Sequence, residues 1–249
     1  MKTYLSVIIP CYNEKENLQR GVLLGVYRYL KEQKFSWEVI ISDDGSTDGS
    51  LKLIKRFAKQ HKGFRVLENK HGGKPWAVFK GTQVARGKII LFTDMDQSTP
   101  IDQLGKLLVW INKGYQVVIG SRGWRRQGAP FYRQLASWAF LHGRRLLVLH
   151  NIIDTQCGFK VFDAEVVKKI FPKLSVLNDI NQASGWRVTA FDVELLFLAQ
   201  KADFKIKEVP VVWQDEDIST GKGRSFIKES KQMLEQIINV RKNDWLGKY

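Results

Sequence analysis

The 249-residue sequence predicts an α/β fold with a mainly parallel sheet flanked by helices. Three observations carry that expectation. Short β-branched runs alternate with longer amphipathic ones through the first half; Gly, Asp, Asn or Pro bound the short runs; and the polar residues gather just after them. Right-handed strand–helix–strand repeats align the C-terminal strand ends along one edge, where such sheets bind ligands.

Taken in order, residues 5–10, 37–42, 64–67, 88–93 and 115–119 read as strands. Residues 14–33, 48–61, 74–86 and 100–112 carry apolar residues at helical spacing. Past residue 123 the pattern loosens into a basic loop at 123–130, a long helix at 131–149, a strand at 158–162 and a helix near 163–171. A polar, loop-rich stretch at 174–187, a helix near 191–202 and a strand at 205–213 follow. A mobile segment at 215–224 and a helix near 225–241 close the chain.

Lys and Arg number 40 against 25 Asp and Glu, a formal net charge of +15. That surplus attracts polyanions: nucleic acid, an anionic membrane face, or phosphorylated substrates. Nucleic acid is not expected, because carboxylates cluster at the sheet edge where a phosphate backbone would meet them. Cys11 and Cys157 form neither a disulfide framework nor metal-site spacing, so a reduced, intracellular protein is expected. No cleavable leader and no uncharged run of about 18 apolar residues is seen, so the chain is expected to touch a membrane without crossing it. Neither a dinucleotide fingerprint nor a P-loop follows the first strand, which argues against dehydrogenase and kinase readings.

Asp94-Met95-Asp96 ends the most apolar strand. Carboxylates two positions apart on an extended chain face one way and offer hard oxygens suited to Mg²⁺ or Mn²⁺ shared with a diphosphate. Asp43 and Asp44 end the second strand, ahead of a turn at Gly45, where a carboxylate can accept a base N–H or a ribose hydroxyl. Thr47 or Asp48 is a cap candidate for the next helix. Pro10-Cys11-Tyr12-Asn13-Glu14 ends the first strand; Tyr12 offers a flat face for a base and Asn13 is a cap candidate.

Those three segments, in that order, resemble the family 2 glycosyltransferases, whose fold is the Rossmann-like GT-A fold. The second half narrows the likeness. Gly72-Gly73-Lys74-Pro75-Trp76, Gly120-Ser121-Arg122, Asp154-Thr155-Gln156-Cys157-Gly158-Phe159-Lys160 and Phe191-Asp192-Val193-Glu194 resemble the dolichyl-phosphate β-glucosyltransferases. Two features depart from that pattern: Gln97-Ser98-Thr99 follows Asp96, and the N-terminal membrane helix of the eukaryotic enzymes is not seen.

The resemblance implies a catalytic domain over 1–213, with 1–122 holding the nucleotide sugar and 123–213 the acceptor, followed by a loop and helix over 214–249. It implies Mg²⁺ or Mn²⁺ on Asp94 and Asp96, with Asp94 near the ribose or the metal. Pro10, Tyr12, Glu14, Asp43, Asp44, Lys74, Asp94 and Met95 are the donor-binding candidates. Arg122, Gln156 and Lys160 are the acceptor-binding candidates, and Asp96, Asp192 and Arg122 the catalytic ones. Asp192 orients sugar or acceptor, or acts as base if the acceptor is a hydroxyl; Glu194 reads as structural and Cys157 as packing. The donor expected is UDP-glucose, with GDP-mannose the alternative, and the acceptor a polyprenyl or dolichyl phosphate, with a sugar hydroxyl the alternative. An inactive nucleotide-sugar binder is the reading from another class. The place expected is the cytoplasmic face of an anionic membrane, held by the basic helix at 131–149 and by Arg125, Arg126, Lys222, Arg224, Lys228 and Lys231.

Overall fold

A computed structural model of the chain describes residues 2–123, 148–149, 151–177, 191–219 and 226–249, with only helical backbone over 226–233. The strands are β1 Leu5–Cys11, β2 Trp37–Asp43, β3 Phe64–Glu68, β4 Ile89–Phe92, β5 Val117–Ser121, β6 Lys160–Asp163 and β7 Ile206–Pro210. The helices are α1 Lys15–Gln19, α2 Val22–Lys31, α3 Ser50–Gln60, α4 Lys74–Val84, α5 Leu104–Asn112, α6 Ala164–Ile170, α7 Phe191–Lys201 and α8 Phe226–Trp245.

Among the described residues the strands form one sheet in the order β3-β2-β1-β4-β6-β5-β7. It is the mainly parallel sheet expected, with one reversal. β1 pairs in parallel with β2 (Ile8 opposite Ile40) and β4 (Ile8 opposite Phe92), whereas β6 runs antiparallel to both β4 and β5. The reversal has a consequence for the site: the start of β6 lies at the edge where β1, β2, β4 and β5 end. Residues 154–160 are thereby delivered to the same edge as the acidic motifs.

Side chains alternate between two apolar layers, as the period of a strand requires. Ile8, Phe92, Ile119 and Phe162 pack with residues of α4, α6, α7 and α8. Val7, Ile9, Val39, Ile41 and Leu91 pack with α2, α3 and α5. Each fully buried side chain of this size stabilises the fold by roughly 1.5–3 kcal/mol. α4 lies close on β1: a Cβ at Gly81 would stand 2.6 Å from Ile8 Cγ2. That approach sets the α4 N-terminus, with Lys74, at the site edge.

The structure differs from the sequence reading in several places. The single helix expected over 14–33 is divided into α1 and α2 at Gly21, whose φ of 86° lies outside the helical region. The strand expected over 205–213 stops at Pro210, after which Val212 N–H turns away to Gln103 Oε1. The closing helix extends to Trp245. Residues 215–219, expected to be mobile, are fastened across the molecule: Gln214 N–H donates to Ser98 O (2.9 Å), Glu216 N–H to Ser98 Oγ (3.1 Å) and Asn17 Nδ2 to Asp217 Oδ1 (3.1 Å). The expected helix lies outside the described residues save Val148 and Leu149, which are buried and not helical; Arg125, Arg126, Lys222 and Arg224 also lie outside them. No helix among the described residues is long and apolar enough to cross a membrane.

Candidate active site

The ends of β1 and β2 are sewn together by side chains that the sequence places there. Asn13, held at φ 53°, takes its N–H to Ser46 Oγ (3.0 Å) and accepts from Thr47 N (2.9 Å) with Oδ1. Asp48 accepts from both Ser50 N (2.9 Å) and Lys15 N (3.0 Å). The capping roles expected of Asn13 and Asp48 thus become links between two loops.

Asp43 is 1% exposed; its Oδ2 accepts the N–H groups of Gly45 and Ser46, both at 3.1 Å. Its Oδ1 is buried with no hydrogen-bond partner among the described residues. Leaving such an acceptor unsatisfied costs about 1–3 kcal/mol, so this oxygen is suited to receive a ligand's N–H or hydroxyl. Asp44 serves otherwise. Its oxygens accept from Gly72 N (2.9 Å) and Gly73 N (2.8 Å), and His71 Nδ1 lies 2.9 Å from Oδ2, so the carboxylate clasps the loop ahead of α4. Burial raises the Asp44 pKa, and those hydrogen bonds oppose the shift. Tyr12 stacks on His71, with ring centroids 4.4 Å apart. Glu14 is buried and accepts from Asn17 Nδ2 at 2.7 Å, and Pro10 is half-buried on β1.

The acidic motif sits on a turn just past β4, not on the strand itself: Gln97 N–H returns to Asp94 O (3.3 Å), and Gln97 has φ 54°. Met95 points into the core at 2% exposure, so the side chain expected among the donor-binding groups is enclosed. Asp96 Oδ1 accepts from Ser98 N at 2.8 Å. Burial, and then the nearby Asp94 charge, raise the Asp96 pKa. Asp94 Oδ1 meets Lys74 Nζ at 2.5 Å.

Two further ion pairs complete the edge. Arg122 grips Asp154 through Nε (2.7 Å), Nη2 (2.8 Å) and its backbone N–H (3.0 Å), and its guanidinium stacks 5.5 Å from the Trp213 ring centre. Burial alone would raise the Asp154 pKa, but Arg122 overrides it and brings the carboxyl down to about 2. Glu208 on β7 in turn accepts from the N–H groups of Ile153 (2.8 Å) and Asp154 (2.7 Å). Lys160 is fully buried, donating to Asp192 Oδ1 (2.6 Å) and Cys157 O (2.5 Å). The ammonium expected of Lys160 at an acceptor entrance is instead enclosed against Asp192 and Cys157. Gln156 is half-buried, its N–H on Asp154 Oδ1 at 3.1 Å. Glu194 accepts from Ser175 N and the Tyr249 hydroxyl, away from this edge. Cys11 and Cys157 are buried, and burial raises both thiols.

Sequence reading assigned no role to Arg20, His71, Asp154 or Glu208. Arg20 donates Nη2 to Asp96 O (2.8 Å) and pairs through Nη1 with Glu216, tying the acidic turn to the 214–219 strap. A cleft of about 520 Å³ opens beside that bridge, lined by Arg20, Tyr29, Asp96, Ile101 and Val212. These partners lie up to 196 residues apart, and no local pattern announces them.

No group of three or more His, Cys, Asp or Glu among the described residues is arranged to hold a metal. Asp94 and Asp96 offer two hard carboxylates on one turn. That pair would suit a hard divalent cation such as Mg²⁺ or Mn²⁺, which would offset charge on a bound diphosphate.

Comparison with known proteins agrees with this architecture. The model of glycosyl transferase family 2 matches residues 6–171. The dolichyl-phosphate β-glucosyltransferase of Dictyostelium discoideum is 34% identical, over 98% of this chain and 76% of its own. The protein of the same name from Saccharomyces cerevisiae is 33% identical over 99% and 76%, and that from Homo sapiens 31% over 85% and 67%. Among solved structures, glucosyl-3-phosphoglycerate synthase from Mycobacterium tuberculosis, in complex with Mn²⁺, UDP and glucosyl-3-phosphoglycerate, superposes with a TM-score of 0.63 at 18% identity, covering 97% of this chain and 80% of its own. A mannosyltransferase from Pyrobaculum calidifontis, in complex with GDP-mannose and Mn²⁺, gives 0.59 at 21%, covering 89% and 59%. The family match spans most of the sheet and both acidic motifs, so this chain belongs to glycosyl transferase family 2 and is a glycosyltransferase of GT-A fold.

Proposed function

We propose that the chain transfers glucose from UDP-glucose to a dolichyl or other polyprenyl phosphate at a membrane surface, with inversion at the anomeric carbon. The observation that carries this reading is the meeting of Lys74, Asp94, Asp96 and Asp192 at one edge, between the Asp43 loop and the Arg122–Asp154 pair. The names of the relatives from Dictyostelium, yeast and human support the choice of sugar and acceptor.

Asp43 Oδ1 is suited to the N3–H of uracil or a ribose hydroxyl, and Tyr12 on His71 presents an aromatic face beside it. Asp94 and Asp96 hold Mg²⁺ or Mn²⁺, which when bound offsets the charge growing on the departing diphosphate. Lys74 steadies the phosphates from α4. Arg122, already fixed by Asp154, presents a rigid cation toward the acceptor phosphate. A phosphate oxygen of the acceptor attacks the anomeric carbon as its bond to the UDP oxygen breaks. UDP leaves with the bonding electrons, and the product is a glucosyl phosphodiester.

An ionised phosphate needs no base to remove a proton. Asp192, whose Oδ1 accepts from the Lys160 ammonium, then serves to orient sugar or acceptor. The outer face of α8 supports attachment at the cytoplasmic face of an anionic membrane: Leu234, Ile238 and Trp245 share one exposed side, with Lys242 and Lys248 nearby.

The test is transfer of labelled glucose from UDP-glucose into organic-extractable polyprenyl phosphate with Mg²⁺, run beside GDP-mannose. Lipid-linked label from UDP-glucose, lost on chelation, is expected. Label only from GDP-mannose would change the sugar, and label from neither would overturn the reading.

A further inference from the structure

Lys74 is the first residue of α4, where the positive end of the helix disfavours a cation. Its ammonium turns into the acidic edge and lies 2.5 Å from Asp94 Oδ1. Burial would lower its pKa, but Asp94, then Asp192 and Asp96, outweigh that and hold it charged. The carboxylate used by Lys74 is one of the two offered to the metal. An ammonium and a divalent cation cannot share one carboxylate oxygen at contact distance, because their mutual repulsion at about 4 Å is large in a half-buried site.

We propose that Lys74 is a tethered counter-ion that occupies Asp94 until a donor diphosphate arrives. Its ammonium then passes to the phosphate oxygens and releases Asp94 to the metal. Metal and nucleotide therefore bind as a coupled pair, each tightening the other by the same factor. This inference rests on Asp94 and Asp96 as the metal carboxylates, and on no assignment of sugar or acceptor. It gives the half-buried pair a function: Lys74 is the cation paired with Asp94 in the nucleotide-free protein, as Lys160 is the one paired with Asp192.

Mn²⁺ binding to the full chain, followed by the electron paramagnetic resonance of the free ion with and without UDP, reads this directly and involves no turnover. Wild type is expected to bind Mn²⁺ weakly alone and roughly tenfold or more tightly with UDP. Lys74→Gln and Lys74→Met, each checked for a native melting transition, are expected to bind Mn²⁺ alone roughly tenfold more tightly than wild type, with UDP then tightening Mn²⁺ less than it does in wild type. Lys74→Arg keeps the charge and should stay near wild type. If the neutral variants bind Mn²⁺ alone no more tightly than wild type while wild type remains coupled to UDP, the tethered-cation role is overturned and the metal assignment stands. If no variant and not wild type binds Mn²⁺ under either condition, the metal assignment falls and takes the proposal with it.

Discussion

Gly158 lies so close to Asp94 that a Cβ built on it would stand 1.9 Å from the carboxylate Oδ2. The glycine just ahead of β6 thus forms the wall against which the Asp94 carboxylate rests. Gly158→Ala is expected to displace Asp94 from Lys74 and lower kcat/KM by about 100-fold, the usual consequence of misplacing a reacting group by about 1 Å. Steady-state transfer kinetics beside a melting curve check this. Unchanged kinetics in a folded Gly158→Ala protein would show that Asp94 needs no such wall.

Asp96→Asn should abolish turnover without lowering the melting temperature. Burial and the neighbouring Asp94 charge raise the Asp96 pKa, so the ionised group is less comfortable folded than unfolded and opposes folding at neutral pH. Removing that charge removes the opposition. A melting temperature several degrees below wild type would contradict this account.

The Arg122–Asp154 pair carries a pH signature. Asp154 falls from 3.8 to about 2 on folding. A depressed carboxyl contributes stability fully above its unfolded pKa and loses it as pH falls through the folded value, here between about pH 4 and 2, and the shift is worth about 2 kcal/mol. Wild type should exceed Asp154→Asn in urea stability at pH 7, and the gap should narrow as pH falls through that window. A gap independent of pH would deny the pair its role.

Lys160 and Asp192 form a buried ion pair, with Lys160 fully enclosed. Lys160→Met strips the buried Asp192 carboxylate of its contact partner, and should destabilise the fold by about 3–5 kcal/mol. The double variant Lys160→Met with Asp192→Leu should recover most of that stability and none of the activity. Chemical denaturation of the three proteins decides it, and a double variant no more stable than the single one would refute the pairing argument.

The exposed side of α8 predicts membrane contact. Trp245 is 78% exposed and Leu246 58%. Replacing Ile238, Trp245 and Leu246 by Ser should reduce sedimentation with anionic vesicles severalfold while leaving the melting transition in place. Equal sedimentation would place the contact elsewhere.

Much of this protein was legible in its sequence, because period-2 apolar runs and strand-end carboxylates are local signals. The alternation of runs gave β1 to β5 within a few residues, and with them the position of Asp43, Asp94 and Asp96 at the strand ends. The turn beyond β4, by contrast, was misread as extended strand, since Gln97 at φ 54° leaves no mark in residue type.

What tertiary structure alone decided is partnership. That Lys160 is enclosed against Asp192, and that Arg122 is already held by Asp154, follows from β6 running against its neighbours and delivering residues 154–160 to the site edge. That Asp44 clasps Gly72 and Gly73 while Asp43 keeps an oxygen unpartnered among the described residues depends on how the loop ahead of α4 closes over β2. The sequence by itself determined which groups stand at the edge, through periodicity and chain direction. Packing among segments up to 201 residues apart determined which of those groups neutralise one another and which remain for a ligand.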